Sequence, residues 1–167
     1  MSASDPRNRR SIDYPEGRFH LGRSPTWSQK GNLLSTLGES VGYARTIAQW
    51  NTETGESVIL EPEIKAIWEQ QPWSDVQDVL TCLQYSPDGG ILAAGNQAGN
   101  VILIDPGSGE VLRILGGSKR NLPIKQLVFV DQGKAIVGSD FEVLRWELSE
   151  SEQPANRSVL FKPAGDG

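Results

Sequence analysis

Hydrophobic residues run through this chain in short bursts, separated by clusters of Gly, Pro, Asn, Asp and Ser. The clearest succession is 79-VLTCLQYS-86, 91-ILAAG-95 and 100-NVILID-105, followed by a turn at 106–110 and then 111-VLRIL-115. Bursts this short, rich in β-branched residues and bounded by turn formers, predict strands rather than helices. The segments 46-TIAQWN-51 and 142-EVLRWE-147 read the same way. A turn and a further strand follow the first of these in 52-TETGESVIL-60, and 157-RSVLFKP-163 is the matching strand after a polar loop. One segment breaks the pattern. In 63-EIKAIWEQQ-71, Ile64, Ile67 and Trp68 fall at i, i+3 and i+4, and Pro72 follows, which predicts a short helix.

The bursts repeat as a unit. The segments 27-WSQKGNLL-34, 85-YSPDGGIL-92 and 129-FVDQGKAI-136 align without a gap. Each places an aromatic residue first and Gly fifth, at Gly31, Gly89 and Gly133, where a hairpin turn needs positive φ. Each unit reads as four strands. The aromatic anchors are 58 and 44 residues apart, and the longer interval holds an insertion at 61–78.

The residues that carry most of this pattern are Tyr85-Ser86-Pro87-Asp88-Gly89, Leu92-Ala93-Ala94-Gly95 and Gly99-Asn100-Val101-Ile102-Leu103-Ile104-Asp105. Thr46-Ile47-Ala48-Gln49-Trp50-Asn51 with Thr54-Gly55-Glu56 forms a second set. Over 24–163 the chain resembles WD-repeat β-propellers. The resemblance implies an all-β fold of three four-stranded antiparallel blades, near 24–60, 79–117 and 123–163. The insertion stands between the first two, and residues 1–23 are expected to be an Arg-rich, disordered arm and 164–167 a tail. Two departures stand out. The family's Gly-His pair is missing, and its Trp-Asp pair becomes Trp50-Asn51, Ile104-Asp105 and Trp146-Glu147. The family's hydrogen-bond network cannot be assembled in full, so these blades are expected to lean on apolar packing.

Propellers close with four to eight blades. Three blades form an incomplete ring with two open apolar faces. The expected remedies are self-association into a homodimer, a partner protein, or membership of a larger propeller. The function the resemblance implies is a non-catalytic protein–protein interaction scaffold.

Composition narrows the alternatives. The 167 residues carry a net charge of −5, which disfavours a nucleic-acid partner. Residues 1–23 run against the trend, with five Arg against three acids. No segment has the apolar length of a membrane span or signal core, so a cytoplasmic location and no membrane partner are expected. Cys82 and His20 are the only residues of their kinds, so neither a disulfide, a metal site nor a cofactor is expected.

Candidate chemistry begins with Gly38-Glu39-Ser40-Val41-Gly42, which matches the G-x-S-x-G pattern of a hydrolase nucleophile elbow. That motif needs a strand before the serine and a helix after it, but a strand pattern follows. His20 lies upstream of Ser40, whereas such hydrolases place their histidine last. A hydrolase on a propeller frame using Ser40 is the alternative function. The stretch reads better as a lengthened loop between the second and third strands of a blade. Gly116-Gly117-Ser118-Lys119-Arg120 opens no helix and reads as a solvated loop rather than a phosphate cradle. Three loops are the candidates for partner binding. They are 38–45 with Glu39, Tyr43 and Arg45, the insertion with Trp68 and Trp73, and 116–121 with Lys119 and Arg120. The insertion either caps an open blade face or offers its tryptophans as interface anchors.

Overall fold

The computed structural model describes residues 24–28, 30, 32–40, 43–62, 79–116, 122–139, 142–148 and 157–161. They form three four-stranded antiparallel sheets, each a simple meander in chain order. Sheet 1 holds β1 (Thr26–Ser28), β2 (Leu33–Ser40), β3 (Tyr43–Asn51) and β4 (Ser57–Leu60). Sheet 2 holds β5 (Leu80–Tyr85), β6 (Leu92–Asn96), β7 (Val101–Ile104) and β8 (Val111–Leu115). Sheet 3 holds β9 (Gln126–Val130), β10 (Ala135–Ser139), β11 (Val143–Glu147) and β12 (Arg157–Phe161). The helix expected at 63–71 lies outside the described residues.

The sheets stack face to face, with sheet 2 in the middle. The strand period sends alternate side chains to opposite faces, so a sheet covered on both sides needs apolar residues at every position. That is why β7 reads Val-Ile-Leu-Ile and is buried throughout. Ile102 and Ile104 pack toward sheet 1, with Leu37, Ile47, Leu83, Tyr85 and Leu92. Val101 and Leu103 pack toward sheet 3, with Ala93, Leu127, Ile136, Leu144 and Trp146. A bulge between Leu80 and Cys82 shifts the alternation of β5, so that Leu80 joins the first cluster and Cys82 the second.

The pairing registers reproduce the sequence repeat residue by residue. One row of each sheet runs Trp27–Leu34–Trp50, Tyr85–Leu92–Ile104 and Phe129–Ile136–Trp146. The row on the opposite face runs Thr26–Ser35–Gln49–Val58, Gln84–Ala93–Leu103–Arg113 and Val128–Val137–Arg145–Ser158. The first row faces the preceding sheet and the second faces the following one.

Two features tie neighbouring sheets together. Ser35 and the Tyr85 hydroxyl share a hydrogen bond of 2.7 Å, and Gln49 Nε2 donates to that hydroxyl at 2.9 Å and to the Pro106 carbonyl at 3.1 Å. Trp146 Nε1 donates to the Gly116 carbonyl at 2.8 Å. Side chains of one sheet also reach the turn between the first and second strands of the next. A Cβ at Gly89 would stand 2.5 Å from Ser28 Oγ of sheet 1. At Gly133, one sheet on, a Cβ would meet Pro87 Cδ at 3.4 Å, an ordinary contact.

The expectation of two open apolar faces needs correction. On the outward face of sheet 1, Ala48 is 1% and Trp50 4% exposed, though Trp27 at the end of the same row is exposed. An indole left in water would forfeit its large burial energy, so a covered Trp50 is the favourable state. The outward face of sheet 3 is open at Val128 and Phe161, 50% and 60% exposed.

Candidate interaction surface

The turns show what the residues at the Trp-Asp positions do. Asn51 Oδ1 accepts from the backbone N–H groups of Glu53 and Thr54, and Asp105 Oδ1 accepts from those of Gly107 and Ser108. In both turns the fifth residue, Gly55 or Gly109, has φ of 79° and donates back to the first. A side-chain oxygen at the first position is therefore satisfied locally, as in an Asx turn. Asp105 is held below the ordinary carboxylate range by these donors, the Ser108 N–H first. Asp88 is lowered likewise, first by the Ser86 hydroxyl, which donates to it at 2.6 Å, and next by the Gly90 N–H. These carboxylates serve the turns, and no paired arrangement suited to acid–base chemistry involves them.

The residues singled out from sequence fall in three places. Glu39, Ser40, Tyr43 and Arg45 lie on the β2–β3 hairpin, where Glu39 pairs with Ala44 and Ser40 with Tyr43. The expected lengthened loop at 38–45 is thus a correction: the strands continue to Ser40 and Tyr43. A longer ladder pairs more backbone N–H and C=O groups, and a bulge between Gly38 and Glu39 absorbs the odd residue. Strand–hairpin–strand geometry is not the strand-to-helix turn of a nucleophile elbow. Trp68, Trp73, Lys119, Arg120 and His20 lie outside the described residues. Cys82 is buried, and burial pushes its thiol above the ordinary value. Among the described residues no group of acids, His and Cys is placed to hold a metal ion, and no helix is long and apolar enough to cross a membrane.

Sequence reading missed the outward face of sheet 3. Its centre is Arg145, in the column of Gln49 and Leu103. Arg145 Nε donates to Glu147 Oε1 at 2.6 Å and Nη2 donates to Asp131 Oδ2. The Glu147 and Asp131 carboxylates together hold the guanidinium more firmly protonated than usual. Around it lie exposed Val128 and Phe161 and the half-buried Val137 and Val143. A groove of about 450 Å³ opens beside this face, lined in part by Gln84, Lys125, Gln126, Val128, Val137 and Ser139. The signal was available: aligning the three units puts a charged residue where the others have Gln49 and Leu103.

No family model matches the chain, and no curated protein is similar to it. A chain in the crystal structure of a mitotic checkpoint complex is similar in structure, with a TM-score of 0.59 at 18% sequence identity. The likeness covers 89% of this chain and 42% of that one, so this chain spans less than half its length. The fold is that of β-propeller blades, three in number among the described residues and forming no closed barrel.

Proposed function

We infer that this chain is a non-catalytic protein-interaction module that receives a protein on the outward face of sheet 3. The observation that carries the reading is the repeat itself. The equivalent faces of sheets 1 and 2 are covered by the next sheet, Val58 at the edge of sheet 1 aside, whereas that of sheet 3 leaves Val128 and Phe161 in water. Exposed apolar surface of this kind, rimmed by charge, marks an interaction site. A protein complex as the setting of the structural neighbour fits the same reading.

The test is capture of protein by the purified chain, compared with a Val128→Lys, Phe161→Lys double variant. Both sites are exposed, so the variant is expected to fold with an unchanged melting temperature. Binding that falls at least about ten-fold, with cross-links from Lys125 and Lys134 lost, supports the reading. Binding unaltered by the two lysines overturns it. Turnover of an ester or peptide substrate that disappears in Ser40→Ala would overturn it from the other side.

A further inference from the structure

Resting on that reading, we propose that the protein received on sheet 3 is a second copy of this chain. The two outward faces meet about a two-fold axis, and Arg145 of each copy pairs with Asp131 and Glu147 of the other.

Three observations converge on it. The first is position. Arg145 occupies the column of Gln49, and Gln49 is the residue that reaches across an interface, donating to the Tyr85 hydroxyl and Pro106 carbonyl of the next sheet. A long cation in that column stands at the matching point of the open face, where its partners within one copy are Glu147 and Asp131. The second is charge. The face carries a cation and two carboxylates side by side, with side chains 24%, 59% and 47% exposed for Arg145, Asp131 and Glu147. A patch holding both signs is complementary to itself, which an isologous two-fold contact requires. The carboxylates of these pairs are exposed, and pairs at the surface stabilise little within one chain, so exchanging partners across the axis costs little. Burial of Val128, Val137 and Phe161 supplies the drive. The third is the other end of the stack. A head-to-tail contact would need the outward face of sheet 1, but Ala48 and Trp50 are already buried there. Face-to-face pairing through sheet 3 needs no displacement there, although Trp27 on the sheet 1 face is exposed.

Charge exchange tests the idea directly. One variant carries Arg145→Glu, and the other carries Asp131→Lys with Glu147→Lys. Sedimentation equilibrium over a dilution series is expected to show the unaltered chain as a dimer. Each variant alone is expected to associate at least roughly ten-fold more weakly, because like charges then face each other. An equal mixture is expected to restore dimers, since only the mixed pair matches every charge. Circular dichroism confirms that each variant keeps its sheets, and Val128→Lys, which places a charge in the apolar contact, is expected to dissociate the dimer. A monomeric unaltered chain, variants that dimerise alone, or a mixture that stays monomeric overturns the proposal. A monomer that still loses capture of another protein on Val128→Lys overturns the second copy and leaves the interaction module standing.

Discussion

Tyr85 carries more than its volume. It stands at an aromatic anchor of the repeat, it is buried, and its hydroxyl joins Ser35 and Gln49 of the neighbouring sheet. This trio does for sheets 1 and 2 what apolar packing alone was expected to do. Tyr85→Phe is expected to cost about 1–3 kcal/mol in urea unfolding, because Ser35 and Gln49 lose a shared partner in the interior. Gln49→Leu combined with Tyr85→Phe is expected to cost less than the sum of the two single changes. Burial also raises the Tyr85 phenol above its ordinary 10.0 and the Cys82 thiol above its ordinary 9.0. The folded chain keeps these protons at a pH where the unfolded chain sheds them. Stability is therefore full below about pH 9 and falls as pH climbs through the raised values. Urea midpoints measured across that range are expected to decline, and the decline is expected to flatten in Cys82→Ala with Tyr85→Phe.

At the scale of strands and turns, the chain was widely legible. Val101–Ile104 and Leu80–Tyr85 declared themselves as strands because a sheet buried on both faces admits little but apolar residues. The turns declared themselves through Asn51, Asp105 and the glycines four residues on. Asp105→Asn is expected to be tolerated, since an amide oxygen accepts the same two N–H groups, as Asn51 does. Asp105→Ala is expected to lose roughly 1 kcal/mol. Gly109→Ala is expected to cost about 1–2 kcal/mol, since its φ of 79° disfavours a Cβ. Chemical denaturation separates the three. Acid reports the same turn: stability that Asp105 lends above its ordinary 3.8 is lost as pH falls through its lowered value, and Asp105→Asn removes that dependence. The interaction face was less legible, for a physical reason. A residue such as Arg145 looks like any solvated charge until the register sets it beside Val137 and opposite Ser158. The β2–β3 hairpin misled for the opposite reason, since Gly38 and Gly42 spell a loop that strand pairing overrides.

Across the whole molecule the burial is lopsided, and stability should follow it. Ile102→Ala, in the doubly covered sheet, is expected to cost about 2–5 kcal/mol, while Leu112→Ala, half exposed on β8, is expected to stay within roughly 0.5 kcal/mol of the original. Urea unfolding of the two variants side by side decides this. The close approach at Gly89 bears on something larger than the site itself. It lies where the turn between the first and second strands of sheet 2 meets Ser28 of sheet 1, so it bears on how far one sheet is rotated from the last. Repeated around an axis, that angular step decides how many sheets complete a circle. A side chain at Gly89 would act as a wedge between sheets 1 and 2 and would widen that step.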